Sequence, residues 1–186
     1  MVNPLPKDQT VFQEELTMGL FSKDITTMDE LFVHVLQDIF YAEKQILLKA
    51  LPDMIDKTQN RELSAAFKKH YDETTTHVQR LERVFELIGE KPKGATCPAI
   101  DGILKEADEI AGNVDDRDVL DAALIAAAQA VEHYEITRYG TLISWSQELG
   151  KDAVGNLLAK TLNEEKAADK KLTSLAEKKI NMKATG

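Results

Sequence analysis

From about Thr27 to Lys57, apolar residues return every three or four positions, at Phe32, Val35, Ile39, Ile46 and Ala50. That is the period of a helix with one buried face. Thr27 followed three residues later by Glu30 makes a capping box and places the first helical residue near Met28, while Pro52 is expected to kink the last turn. The period resumes from Arg61 to Gly89 through Leu63, Phe67, Leu81, Val84 and Ile88. Gly89 can take the left-handed terminal conformation there, and Pro92 blocks continuation. The linker Thr58, Gln59, Asn60 admits only an antiparallel neighbour. A turn-rich segment, Lys91 to Pro98, leads into a short amphipathic stretch from Ala99 to Ala111. A third helix begins at Asp115 to Asp118, runs to about Leu149 and is closed by Gly150. A fourth occupies roughly Asp152 to Lys179, with Lys178 and Lys179 suited to the negative end of its dipole. No strand pattern of alternating β-branched residues occurs, so the prediction is all-α: two helical hairpins joined by a long crossover that holds a small helix.

Acids interrupt the apolar stripes. Glu43 stands in the first, Glu73 and His77 in the second, Glu132 in the third, and Glu165 and Asp169 in the fourth. Counted from the hairpin turns at ~1.5 Å per residue, Glu43 and Glu73 each lie ~20 Å from theirs, and Glu132 and Glu165 match to within a turn. The four glutamates can therefore meet near mid-bundle. An ionised carboxylate in a dry interior costs several kcal/mol unless a positive charge compensates it, so this pattern calls for a cation, most simply a metal ion.

Composition narrows the function. A net charge of −9 argues against a nucleic-acid phosphate surface, which needs a clustered basic face. One cysteine, Cys97, rules out an intrachain disulfide framework and suggests a reducing, cytoplasmic compartment. No apolar run approaches the ~20 residues of a membrane span. Residues 1–17 lack the basic start and apolar centre of a signal peptide and read as a mobile extension, with the domain at 18–180 and a tail at 181–186. Glycine-rich phosphate loops and Cys-x-x-Cys pairs are missing.

Several segments resemble the YciE/YciF group of ferritin-like proteins: Leu36-Gln-Asp-Ile-Phe-Tyr-Ala-Glu-Lys-Gln45, His70-Tyr-Asp-Glu-Thr74, Arg80-Leu-Glu-Arg-Val-Phe85, Asp121 to Gln129, Glu132-His-Tyr-Glu-Ile136, Tyr139-Gly140, and Leu162-Asn-Glu-Glu-Lys166 with Asp169. The likeness spans about Met18 to Ala176. It implies a ferritin-like antiparallel four-helix bundle with a short crossover helix between helices two and three. It also implies a dinuclear metal site of ferroxidase type linked to bacterial stress responses, without an assigned substrate. The ferritin-like pattern supplies one Glu from each of two helices and a Glu-x-x-His pair from each of the others. Glu43 and Glu132 match the single glutamates, and Glu73 and Glu165 those of the pairs. His77 and Asp169 follow four residues after their glutamates rather than three, which keeps them on one face but leaves few nitrogen ligands. Such a set favours iron or manganese over zinc.

The expected metal ligands are thus Glu43, Glu73, His77, Glu132, Glu135, Glu165 and Asp169, with Glu73 and Glu165 bridging two ions. Glu135, one turn beyond Glu132, is an additional ligand or an exposed acid. His70 reads as a hydrogen-bonded core histidine, with an orienting or ligating role as the alternative; Tyr139 reads as core packing. The leading expectation is a di-iron oxidoreductase using oxygen or peroxide, with manganese as a variant and a homodimer as the assembly. The competing one is a non-catalytic stress-associated bundle that binds metal or a partner protein.

Overall fold

The computed structural model describes residues 24–186; the extension read at 1–17 and the start at Met18 lie outside them. Helix α1 (Met28–Gln45) is launched by the Thr27–Glu30 capping box and continues through one π-helical turn (Ile46–Ala50) into α2 (Leu51–Lys57). Asn60 caps α3 (Arg61–Ile88), which ends on Gly89 at φ 76°. The crossover carries α4 (Pro98–Gly112). Asp116 caps α5 (Arg117–Glu148), and α6 (Asp152–Leu175) passes through a second π turn (Ala176–Ile180) into α7 (Asn181–Ala184).

In place of a simple kink at Pro52, the helix widens one turn earlier. The Leu51 N–H reaches back five residues to the Ile46 carbonyl. Proline has no N–H to donate and its ring crowds the preceding turn, and a π turn makes the room. The stretch read as a tail at 181–186 likewise begins with the helical turn of α7.

Four long helices form the bundle. The α1–α2 unit and α6 each pack against both α3 and α5, and so face one another across the core, with α4 laid along α5. Adjacent helices run antiparallel: Lys151, just past α5, holds Asp29 at the start of α1, and Lys179, past α6, holds Glu62 at the start of α3. Phe32, Leu36, Ile39, Leu63, Phe67, Phe85, Leu142 and Leu158 fill the two ends with hydrocarbon. Among the described residues no helix is long and apolar enough to cross a membrane.

The first hairpin turn is fastened to α5 by one buried carboxylate. Asp121 accepts hydrogen bonds from the Thr58 hydroxyl and from the backbone N–H groups of Gln59 and Asn60 at 3.1 Å each. Replacement by alanine leaves the buried Thr58 hydroxyl and two part-buried backbone donors without their acceptor, so Asp121→Ala is expected to cost about 2 kcal/mol in denaturant unfolding. A loss under about 1 kcal/mol would show that water replaces the carboxylate there.

Candidate metal centre

At mid-height the hydrocarbon gives way to a layer of ionisable groups. Glu43 comes from α1, His70, Thr74 and His77 from α3, Glu132, Glu135 and Tyr139 from α5, and Thr161 and Glu165 from α6, all buried. His70 and His77 lie two turns apart on one face of α3, with ring centroids 6.1 Å apart. Their neighbours divide into two sets in which one ligand atom per residue lies within 4.8 Å of the others: His70, Glu132, Glu135 and Glu165, and Glu43, His77 and Glu165. Glu165 belongs to both.

In the first set the Nε2 of His70 stands 3.1 Å from Glu132 and 3.7 Å from Glu165. In the second, Nδ1 of His77 stands 2.9 Å from Glu165 and 3.4 Å from Glu43, at ion-pair distance but without hydrogen-bond alignment. The other nitrogen of His77 is spoken for: Nε2 lies 2.9 Å from Glu164, whose two oxygens take the Arg80 guanidinium. An imidazole fixed on its outer nitrogen presents the inner one to the cluster, as metal-binding histidines commonly do. Tyr139 donates its hydroxyl to Glu43.

Charge in this layer is far from balanced. Burial and the neighbouring Glu43, Glu165 and Glu132 charges all push the Glu135 carboxyl well above the ordinary carboxylate range. Burial does the same to Glu132 and Glu43, with His70 and His77 pulling the other way. Burial disfavours charge on the imidazoles too, but Glu132, Glu73 and Glu165 outweigh it and raise His70 to about 9. Glu165 and Glu43 raise His77 to about 11. Without an ion, the two imidazoliums are therefore the cations of this interior.

They do not satisfy it. Buried atoms left without a hydrogen bond include both oxygens of Glu135 and of Glu165, one oxygen each of Glu43 and Glu132, and the Nδ1 atoms of both histidines. Buried polar atoms are nearly always paired, because an orphan loses its water and gains nothing in exchange. Here the orphaned carboxylate oxygens and the Nδ1 of His77 belong to the two ligand sets and are all potential metal ligands, so the residues fit a metal centre. Carboxylate oxygens with one imidazole per set suit hard or borderline first-row cations.

Of the residues read from sequence, Glu43, His77, Glu132, Glu135 and Glu165 are brought together. Glu73 and Asp169 stand at the edge. Glu73 lies 3.8 Å from Nδ1 of His70 and pairs with Lys69; His70 first and Lys69 after it, with burial opposing, hold its carboxyl down at about 2. Asp169 accepts from the Gln129 amide at 2.8 Å and faces His133 at 3.4 Å. His70, read as a core histidine, is in the centre of the first set. Its position three residues before Glu73 and seven before His77 was the signal, since those spacings share a face. Glu164 was missed because it points outward, where a carboxylate looks like ordinary surface.

A helical bundle whose middle layer consists of convergent acids and imidazoles is the class that fold and site define. The chain belongs to the family described as domain of unknown function DUF892, which its residues 27–185 match. It is 44% identical over 162 residues to protein YciF of Escherichia coli (strain K12), covering 87% of this chain and 97% of that protein. The crystal structure of that E. coli stress protein matches with a TM-score of 0.80 over 84% of this chain and 99% of its own. YcfI from Rhodopseudomonas palustris, for which a structural role has been suggested, matches with the same TM-score at 57% identity, over 82% of this chain and 97% of its own. The resemblance read from the sequence motifs and the bundle with its crossover helix are thus both found.

Removing the outer anchor of His77 tests its part directly. Loss of a hydrogen-bonding partner behind a metal-bound histidine typically lowers affinity by about 10–100-fold. Glu164→Ala is expected to weaken manganese binding by that amount in a calorimetric titration while the fold is kept. Unchanged affinity would mean that His77 needs no anchor.

Proposed function

We propose that the protein binds two first-row metal ions, iron or manganese, in its mid-bundle layer and acts as a ferroxidase-type oxidoreductase in a stress response. The single observation that carries this reading is the sharing of Glu165 by two adjoining ligand sets, because one carboxylate with two unpartnered oxygens is the simplest bridge between two cations. A pair of ferrous ions, each oxidised to ferric, gives two electrons per event, the number by which dioxygen with two protons becomes hydrogen peroxide, or hydrogen peroxide with two protons becomes two waters. Glu43 and His77 would hold one ion, and His70, Glu132 and Glu135 the other. Glu73, on releasing Lys69, and Asp169 complete the donor set at its edges. The description of E. coli YciF as a stress protein supports the physiological half of the proposal.

The protein's own protons set the conditions of uptake. A cation can take His70 and His77 only after displacing protons held up to about 9 and about 11, so binding near neutrality releases protons and tightens as pH rises. Manganese titrations at pH 7 in two buffers of different ionisation enthalpy should give different heats, and affinity should increase from pH 6 to pH 8. Heats independent of buffer would contradict the protonated resting state.

Metal analysis and oxygen consumption with ferrous iron test the function. Two ions per chain and consumption above the uncatalysed rate are expected; binding without consumption would favour a non-catalytic metal-binding bundle. Size-exclusion chromatography is expected to show a homodimer rather than the many-subunit shell of a storage protein.

A further inference from the structure

A cleft of about 510 Å³ opens between α3 and α6 and ends on His70 and Glu132, the two residues that meet at 3.1 Å in the first ligand set. It exists because small side chains stand where larger ones would close the helix seam: Ala65 and Ala66 on α3, Ala167 and Ala168 on α6, and Ala128 on the floor. Farther along the same pair of helices the seam is shut by Arg80, Thr161 and Glu164. Exchange of electrons with oxygen or peroxide needs no such volume, which falls within the range of sites that bury an organic molecule. Its hydrocarbon walls come from Phe67, Leu51 and Leu172 as well as the alanines.

The base of the cleft is formed by His70 and Glu132, and its charged rim by Glu62, Lys69, Glu73 and Lys171. Of the two lysines that line the walls, Lys69 is taken by Glu73, whereas Lys171 is exposed and makes no ion pair among the described residues. The mouth acid Glu62 is held by Lys179. Lys171 also lies near enough to Glu62 to help hold its carboxyl down, so that Lys69, Lys171 and Lys179 face Glu62 and Glu73 and the rim is positive on balance.

We propose that this cleft binds a small apolar organic acid, its hydrocarbon portion against the alanine-lined walls and its carboxylate toward Lys171, so that the molecule lies beside His70 and Glu132 at the metal centre. The cleft is visible without any ion, while its role as a route to a substrate rests on the two-metal reading. An acid seated there meets groups that a metal centre would share, and it excludes water from the open side of the first ligand set. The Glu73–Lys69 pair lines the same side.

Octanoate serves as the probe, with octanol and octylamine as controls of equal chain length. Titrated into the unmodified, metal-free protein, octanoate is expected to bind saturably and to shift the His70 imidazole resonances, with octanol weaker and octylamine weaker still. Lys171→Gln should weaken octanoate by about threefold to fivefold, the worth of one exposed charge contact, and leave octanol unchanged. Ala168→Leu should block all three while the ratio of metal to chain stays that of the unmodified protein. Absence of octanoate binding, equal or better binding of octylamine, or full binding in Ala168→Leu would overturn the proposal. Coverage of the cleft by a second copy of the chain would also overturn it, and would appear as a dimer that excludes octanoate. Octanoate binding in a protein that takes up no metal would refute the two-metal reading alone; two bound ions with no octanoate binding would refute the cleft alone.

Discussion

Substitution Glu165→Gln should empty both halves of the metal centre at once. The side chain is fully buried, both of its oxygens lack a hydrogen bond, and it is the member common to both ligand sets. Glutamine keeps the shape but offers one oxygen and an amide that cannot ligate, and it removes the charge that helps to hold His77 protonated. Metal analysis after loading with ferrous iron or manganese and dialysis should fall from two ions per chain to nearly none, and added manganese should no longer raise the melting temperature. A variant of any peripheral ligand would lose at most one ion. Glu73→Gln is the companion experiment, because the sequence pattern makes Glu73 the second bridge while the structure pairs it with Lys69. Loss of both ions there would mean that Glu73 turns inward on loading, and retention of two would leave it outside the ligand set.

Glu135→Leu should make the metal-free protein more stable and the metal-binding protein worse. Glu135 is 1% exposed, has no hydrogen bond to either oxygen, and is surrounded by Glu43, Glu165 and Glu132. Replacing such a buried acid by hydrocarbon of similar size is worth about 1–4 kcal/mol, which in a chain of this length raises the melting temperature by about 2–16 °C. The sign with pH follows from the shifts. The folded-state pKa of Glu135 lies above its ordinary 4.5, so its penalty is absent in acid and grows as pH rises past the unfolded value. His70 and His77, raised from 6.5 to about 9 and about 11, contribute stability that is complete below 6.5 and lost as pH climbs through those values. The unmodified metal-free protein should thus melt lower at pH 9 than at pH 6, and Glu135→Leu should reduce the difference. A variant less stable than the parent in the absence of metal would show that Glu135 has a partner after all.

Both expectations rest on one feature, a buried layer of acids and imidazoles with unpaired polar atoms. Part of that layer is legible in the sequence and part is not. Helix boundaries were legible because caps and breakers act locally: Thr27 with Glu30, Gly89 and Gly150 are found where the pattern placed them. Glutamates on apolar stripes were legible for the opposite reason, as violations of a period. On α5 the period itself misleads. Its interior face mixes Leu124, Ile125, Ala128, Val131 and Leu142 with Asp121, Glu132, Glu135, Tyr139 and Ser146, whereas the apolar Ile136 and Ile143 are only half-buried. A face so rich in polar groups has almost no amphipathic signature, so Glu135 was legible only as a neighbour of Glu132. His70 shares a face of α3 with Glu73 and His77, but its contact with Glu132, like that of Glu164 with Arg80, runs between helices, which no spacing along one helix contains. Glu73 shows the converse: it obeys the spacing, yet Lys69 one turn earlier competes for it.

The most direct measurement is a crystal structure of metal-soaked protein with anomalous data at the iron and manganese edges. Two peaks within the mid-bundle layer are predicted, one near Glu43 and His77, the other near His70, Glu132 and Glu135, both touching Glu165. A layer without anomalous signal, its acids closed on His70 and His77 alone, would contradict the account.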